Sequence, residues 1–228
     1  MTSALFFDVD FTLIYPGPAF QGEGYREFAA RYGMTLDPSG FVRAVLRASH
    51  ILDQAQDNVY NDQIFIDYTA HIIRDMGGAG SSVTDCAAEM FREWAACRHF
   101  LLYDDVPAGL KALADRDIRV GLISNSHRCL ESFQSHFELE GLIDVAISSS
   151  QHGYMKPHPS IFEAALKLAG VEAAASVMVG DSLSQDIEGA RRVGMRGVLV
   201  RRSREALPAA ETIGVPVISD LRELGSIL

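Results

Sequence analysis

The sequence predicts an α/β fold, a Rossmann-like, doubly wound parallel sheet with an all-helical domain inserted after its first strand. Three patterns predict this fold. Short β-branched runs alternate with helical segments from about residue 104 onward, the region from about 20 to 100 has helical spacing throughout, and the N-terminus is an apolar run typical of a buried strand. We therefore assign residues 1–16 and 102–228 to an α/β core domain and residues 17–101 to a helical domain.

The strands of the core are predicted from near-continuous apolar runs, the pattern of strands that helices cover on both faces. The N-terminal run ALFFDVD is followed by IRVGLIS (118–124), DVAIS (144–148), SVMVG (176–180), GVLVR (197–201) and VPVIS (215–219). The segments PAGLKALADR, RCLESFQSHF, SIFEAALKLAG and IEGARRVG separate these runs and have helical character. Because strands alternate with helices, the sheet is predicted to be parallel.

The inserted region contains segments that space their apolar residues at three and four positions. These segments are EGYREFAARYG, SGFVRAVLRASHILDQA, DQIFIDYTAHIIRDMGG and TDCAAEMFREWAACRHF. Gly33 and the pair Gly77–Gly78 fall where helices are expected to end. We predict a domain of helices with no strand between about residues 20 and 100.

Composition and charge exclude several classes of partner. The net charge of −10 comes with no basic stripe, which argues against nucleic acid. No window approaches the roughly 18 uncharged apolar residues that a membrane span requires. The N-terminus has no basic residue before Arg26, and the three cysteines form no Cys-x-x-Cys pair. We therefore expect a cytoplasmic protein with reduced thiols that acts on a small soluble molecule.

Charged and polar residues gather at the carboxyl ends of the predicted strands. Asp8 and Asp10 end the first strand, and Ser124 and Asn125 end the second. Asp181 and Asp186 lie in GDSLSQD, which follows the strand SVMV. Lys156 lies in GYMKPHP, ahead of a helix. An unpaired buried carboxylate is unfavourable by several kcal/mol, so these acids need partners or water. Because parallel sheets gather their sites at the carboxyl edge, we expect these side chains to converge.

Four carboxylates and one lysine at the same edge form a cluster that attracts a cation. Oxygen ligands alone point to Mg²⁺, which can share a phosphate oxygen with the protein. Lys156, a hydroxyl group and backbone N–H groups of the Ser-Asn-Ser turn would then hold a phosphoryl group.

The same residues resemble the motifs of the haloacid dehalogenase (HAD) superfamily, and within it the Mg²⁺-dependent phosphatases with a helical (C1-type) cap domain. Asp8, Asp10 and Thr12 match its Asp-x-Asp-x-Thr motif, and Ser124 matches the hydroxyl residue that ends the second strand. The further motifs match Lys156-Pro157 and, in Gly-Asp-x-x-x-x-Asp, Gly180, Asp181 and Asp186. The resemblance covers nearly the whole chain and implies that residues 17–101 are the cap.

The resemblance implies catalytic roles for several of these residues. Asp8 would attack phosphorus and form an aspartyl-phosphate, and Asp10 would protonate the leaving oxygen and then accept a proton from water. Ser124 and the Asn125 backbone would bind the phosphoryl oxygens. Lys156 would balance the charge of the nucleophile and the phosphate.

The resemblance also implies a metal site, and the chain departs from the family motif at one position. Asp8, the backbone carbonyl of Asp10 and Asp181 would hold Mg²⁺, while Asp186 would act through water or orient Lys156, and Thr12 would support the loop. Many relatives have glycine where this chain has Phe11. Either the backbone there needs no positive φ, or Phe11 shapes the wall of the site.

Other reactions and roles remain as alternatives. A 2-haloacid dehalogenase would use Asp8 to attack carbon, but such relatives usually lack the second aspartate, so Asp10 and Asp181 favour a phosphatase. Phosphonate hydrolysis is rejected, because in this superfamily it uses a lysine of the cap and no lysine lies between Leu13 and Asp105. Receiver domains of signalling proteins accept phosphate at a similar acidic site, but they are about half this length and lack a large helical insertion, which disfavours this class. A phosphate-binding protein without turnover is a further alternative.

The sequence predicts the reaction class but leaves the substrate open among small phosphate monoesters. Candidate contacts to the leaving group lie in or near the cap and in the loop after the second core strand, namely Tyr15, Phe20, Arg47, His50, Tyr60 and His127. We expect a small phosphorylated metabolite as the partner, and a monomer or a homodimer as the assembly.

Overall fold

The structure is a computed structural model that describes residues 2–52, 56–202 and 214–228. The chain divides into two compact units. The first consists of Met1–Tyr15 and Leu102–Leu228, and the second of Pro16–Leu101.

The first unit is built on a six-stranded parallel sheet, which confirms the predicted fold class. In chain order the strands of the described residues are β1 Ala4–Phe7, β2 Ile14–Pro16, β3 Phe100–Leu102, β4 Arg119–Ser124, β5 Val145–Ser148, β6 Ser176–Gly180, β7 Arg196–Val200 and β8 Val217–Ile218. The order across the sheet is β5-β4-β1-β6-β7-β8. The order places β1 in the centre, at the point where the winding of the sheet changes direction, and ligands of such sheets bind beside that point.

Helices cover the sheet and make up most of the second unit. In chain order they are α1 Gly22–Arg31, α2 Phe41–Leu52, α3 Asp62–Asp75, α4 Ser82–Trp94, α5 Val106–Ala114, α6 Leu130–His136, α7 Ser149–His152, α8 Pro159–Ala169 and α9 Gly189–Arg192. A π-helical segment, Leu183–Glu188, leads into α9. Among the described helices, none combines the length and the apolar character that crossing a membrane would require.

The core of the first unit forms between the sheet and the helices. Phe6 of β1 and Met178 of β6 pack with Ile161, Phe162 and Ala165 of α8, and all five are buried. The continuous burial of β1 and β6 explains why both strands are apolar up to the residue at which they end.

The second unit contains α1 to α4, in agreement with the predicted helical segments. The predicted helical segment that contains α2 extends to residue 55, and its last residues, 53–55, lie outside the described residues. The expectation of no strand up to about residue 100 was wrong at its edge, because Phe100 begins β3, which pairs with β2 in a separate two-stranded sheet. Both strands have three residues, and such short runs carry no periodic pattern.

Candidate active site

The loop after β1 brings Asp8 to the end of the central strand. The Asp8 N–H still donates to the Val179 carbonyl of β6 at 2.9 Å, so its backbone continues the parallel ladder. The loop then turns sharply, because the N–H groups of Leu13 and Ile14 both donate to the Val9 carbonyl, at 2.8 and 3.1 Å. This local hydrogen bonding fixes the backbone from which the Asp8 side chain projects.

Lys156 joins two of the acids through a buried ammonium group. Its Nζ donates to Asp8 Oδ1 and to Asp186 Oδ1, both at 2.6 Å, and its side chain is 1% exposed. Burial lowers the pKa of Lys156, but the Asp186 and Asp8 carboxylates outweigh burial and hold the pKa above its ordinary value. The ammonium therefore stays protonated, and one positive charge is fixed beside Asp8.

Asp181 joins Asp8 and Asp186 in a cluster of three carboxylates, and one oxygen atom from each lies within 4.8 Å of the other two. Burial raises the pKa of Asp8 well above its ordinary value, an effect that Lys156 partly offsets. Burial, followed by the charge of Asp186, raises the pKa of Asp181 to about 7. When all three are ionised, the carboxylates outnumber the single ammonium, and this oxygen donor set fits Mg²⁺.

The loop after β6 is shaped to bring Asp186 back to the cluster. Ser182 N–H donates to Asp186 Oδ2 at 3.0 Å. A Cβ atom at Gly180 would lie 2.2 Å from Asp186 Oδ2, so only glycine fits at the end of β6. The Arg201 guanidinium donates to the Asp181 carbonyl and ties this loop to the residue after β7.

The turn after β4 holds Lys156 through the Asn125 side chain. Asn125 Oδ1 accepts from the Lys156 N–H at 2.7 Å, and Asn125 Nδ2 donates to the Lys156 carbonyl at 3.0 Å. Ser124 is fully buried, and its Oγ lies 2.9 Å from Ser126 Oγ. The resemblance implied a role for the Asn125 backbone, and the hydrogen bonds from its side chain to the Lys156 N–H and carbonyl were not predicted.

Asp10 lies apart from the three clustered carboxylates and contacts an arginine. Arg128 Nη1 donates to Asp10 Oδ1 at 2.9 Å, across 118 residues of sequence. Sequence reasoning missed Arg128, although its position four residues after Ser124, in SNSHRC, was a signal that it follows the same strand end. The contact involves the Asp10 side chain, and the predicted role of the Asp10 backbone carbonyl as a metal ligand stays a prediction.

The remaining residues of the first motif are placed as follows. Thr12 is fully buried, and its carbonyl accepts from Arg202 Nε at 3.1 Å. Phe11 has φ 63°, so the backbone does take a positive φ where many relatives have glycine. The alternative in which this position needs no positive φ is therefore excluded. The Phe11 side chain is 45% exposed.

Several predicted substrate contacts belong to internal packing or to surface pairs. Phe20 is buried, with its ring centroid 4.7 Å from that of Trp94. Arg47 lies 3.6 Å from an Asp75 carboxylate oxygen, and His50 Nδ1 lies 2.6 Å from the Arg47 carbonyl oxygen.

The other predicted substrate contacts also have neighbours within the protein. Tyr60 hydrogen-bonds Asp62 at the start of α3. Tyr15 packs against Tyr103 with ring centroids 4.7 Å apart, and His127 directly precedes Arg128.

Comparisons with known proteins show the family to which the chain belongs. A family model for haloacid dehalogenase-like hydrolases matches residues 2–194. Haloacid dehalogenase-like hydrolase domain-containing protein 3 of Bos taurus is 26% identical over 197 residues, which cover 83% of this chain and 78% of the relative. Glyceraldehyde 3-phosphate phosphatase of Methanopyrus kandleri is 26% identical over 215 residues, which cover 90% and 86%.

A solved structure of similar architecture is the 2-haloacid dehalogenase of Pseudomonas syringae. It is 26% identical, superposes with a TM-score of 0.65, and the match covers 100% of this chain and 98% of that one. The match of the family model extends through all four motifs, from Asp8 to Asp186. The chain belongs to the haloacid dehalogenase-like hydrolase family.

Proposed function

We propose that the protein hydrolyses a small phosphate monoester in a Mg²⁺-dependent reaction that passes through an aspartyl-phosphate on Asp8. One observation carries the proposal: the buried Lys156 ammonium lies 2.6 Å from Asp8 within the same cluster of carboxylates that could hold a metal ion. A nucleophile, a fixed positive charge and a cation site thus occur together. Phosphoryl transfer depends on this combination, because its catalysis is largely positioning and charge stabilisation.

In the first step, an Asp8 carboxylate oxygen attacks phosphorus and the bond from phosphorus to the leaving oxygen breaks. Asp10 gives its proton to that oxygen, so the product leaves as a neutral alcohol. In the second step, water attacks the phosphorus of the aspartyl-phosphate. Asp10 takes a proton from the water, and inorganic phosphate and the Asp8 carboxylate are released.

The phosphoryl oxygens would be held by Ser124, the Asn125 backbone N–H and Lys156. The Asn125 side chain fixes the Lys156 backbone on both sides, which supports a rigid position for the ammonium. Rigid donors stabilise charge that develops during the reaction, because they need no reorganisation at that moment.

The metal ligands would be Asp8, the Asp10 backbone carbonyl and Asp181, with Asp186 acting through water or by orienting Lys156. The contact of 2.6 Å between Asp186 and Lys156 supports the orienting role. Mg²⁺ bound there would supply positive charge that offsets both the carboxylates and the phosphoryl oxygens.

The helical unit Pro16–Leu101 would be the cap that contacts the leaving group and excludes water. The resemblance to a glyceraldehyde 3-phosphate phosphatase supports a small phosphorylated metabolite as the substrate. We further propose a cytoplasmic protein that acts as a monomer or a homodimer, with neither nucleic acid nor a membrane as partner.

A second candidate is 2-haloacid dehalogenation, which the likeness to the Pseudomonas syringae enzyme favours. In that reaction Asp8 would displace halide from carbon, and no proton donor for the leaving group would be required. Asp10 and the carboxylate of Asp181 would then have no use in the chemistry. The presence of both favours the phosphatase.

The test is phosphate release from a panel of monoesters that contains glyceraldehyde 3-phosphate, sugar phosphates, nucleoside monophosphates and p-nitrophenyl phosphate. We expect turnover with Mg²⁺, none with EDTA, and a loss of at least about 10³-fold in Asp8→Asn because the nucleophile is gone. Asp115→Asn, an exposed acid of the same unit, is the matched control and should keep full activity.

Halide release from 2-chloropropionate, with no phosphate release from any ester, would instead establish the dehalogenase. If a folded protein that binds Mg²⁺ released neither phosphate nor halide, the result would favour a phosphate-binding role without turnover.

A further inference from the structure

Arg128 is a buried arginine that the proposed reaction does not yet use. Its side chain has 0% exposure, and it is among the largest fully buried side chains. It lies in the turn between β4 and α6, directly before Cys129, the residue that caps α6. A guanidinium does not lose its proton in proteins, so this position carries a permanent buried positive charge that requires an acceptor.

One acceptor of the Arg128 guanidinium is the carboxylate of Asp10. The bond from Arg128 Nη1 to Asp10 Oδ1 is 2.9 Å long, and the Asp10 side chain is 17% exposed. A charge-assisted bond from a planar donor that is itself fully buried fixes the direction of the carboxylate as well as its distance. Arg128 thus binds Oδ1 of the Asp10 carboxylate, and the proposed proton exchange is assigned to the second oxygen, Oδ2.

We propose that Arg128 is a positioning residue that orients Asp10 so that Oδ2 exchanges the proton with the leaving group. The inference rests on the proposed function, because it assigns Arg128 to the general acid of that reaction. Arg128 would act only through Asp10 and would not itself touch the phosphoryl group.

A structural ion pair is the competing explanation, and the chemistry of the leaving group separates the two. A p-nitrophenolate leaves without a proton, whereas an alkoxide needs one in the transition state. The value of kcat/KM reports only the steps up to the first irreversible one, the release of the leaving group. Misplacement of the acid therefore lowers kcat/KM for alkyl phosphates and spares p-nitrophenyl phosphate, whereas general damage lowers both.

The experiment measures kcat/KM for an alkyl phosphate and for p-nitrophenyl phosphate in the wild type, Arg128→Lys and Arg128→Gln. We expect a loss of about 10- to 100-fold for the alkyl ester and of less than about fivefold for the aryl ester, because misplacing a catalytic group by about 1 Å can lower the rate 10²-fold. Arg128→Lys should recover part of the loss. Arg116→Gln, at an exposed arginine of the same unit, is the matched control and should change neither value.

The Asp10→Asn variant completes the test as a double-mutant cycle. It should show the same selective loss on the alkyl ester, and adding Arg128→Gln to it should lower kcat/KM by less than about twofold, since residues that act as a unit are not additive. Circular dichroism and thermal unfolding verify that each variant is folded.

Three results would overturn the inference. These are an equal loss on both esters, additive losses in the double variant, and Arg128 variants that fail to fold although Asp10→Asn folds. A wild-type enzyme that hydrolyses neither ester would contradict the proposed function itself, and that outcome is distinct because it needs no variant.

Discussion

At the scale of single residues, Phe11 has a backbone conformation that is unfavourable for a residue with a side chain. Its φ of 63° lies in the left-handed region, where an L side chain is unfavourable by about 1–2 kcal/mol. The N–H of Phe11 donates to the Ile14 carbonyl at 2.7 Å, and this bond holds the conformation. The sequence could identify the unusual residue but not its backbone angle, because the loop's hydrogen bonds decide the angle.

The strain at Phe11 can be measured by comparing two variants that both lose the ring. We expect Phe11→Gly to be more stable than Phe11→Ala by about 1 kcal/mol, because only glycine takes a positive φ without a steric penalty. Urea unfolding of both variants gives the difference directly. Equal stability, or a more stable alanine variant, would show that the angle imposes no strain.

Arg128 and Asn125 mark the limit of prediction at the same scale. The motifs identified Asp8, Asp10, Ser124, Lys156 and Asp181 as candidates because each lies at a predicted strand or helix boundary. The partners of these residues depend on contacts between distant segments, such as the 118-residue separation of Arg128 and Asp10. Local sequence pattern contains no information about such contacts.

At the scale of elements, the ends of β1 and β6 create the cluster of acids. In the register of the parallel sheet Phe7 is opposite Val179, so Asp8 and Gly180 follow side by side, and Asp181 comes next. The apolar strands were predicted because burial on both faces gives continuous apolar runs. The three-residue strands β2 and β3 were not predicted, since runs this short have no period.

The acidic cluster predicts how Mg²⁺ affinity depends on pH. Burial and Asp186 raise the pKa of Asp181 to about 7, so at pH 5 the metal-free protein holds a proton that the ion must displace. Affinity should therefore tighten as pH rises from 5 to 7, by about tenfold per pH unit for each displaced proton, and the raised pKa of Asp8 adds to this dependence. Isothermal titration calorimetry between pH 5 and 8 measures this dependence.

Asp181→Asn is the matched variant for that titration. It should bind Mg²⁺ more weakly and show a shallower pH dependence, since the proton on Asp181 is gone while the pKa of Asp8 stays raised by burial. Wild-type affinity that does not change between pH 5 and 7 would contradict the assignment of Asp181 as a ligand.

At the scale of the whole molecule, all groups with a proposed part in bond making belong to the unit that joins the two ends of the chain. Asp8 and Asp10 come from Met1–Tyr15, and Ser124, Lys156 and Asp181 from Leu102–Leu228. The reaction class could therefore be inferred from motifs that the sheet gathers at one edge. The substrate could not, because no motif identifies side chains that would contact the leaving group in the proposed cap.

Covalent catalysis by Asp8 can be tested by mass spectrometry after rapid acid quenching of the enzyme during turnover of its best ester. We expect the peptide containing Asp8 to gain the mass of one phosphoryl group. This adduct should be absent with EDTA and should accumulate further in Asp10→Asn with p-nitrophenyl phosphate, because the base for the second step is lost. Rapid phosphate release while Asp8 stays unmodified, or a phosphoryl group on another residue, would contradict covalent catalysis by Asp8.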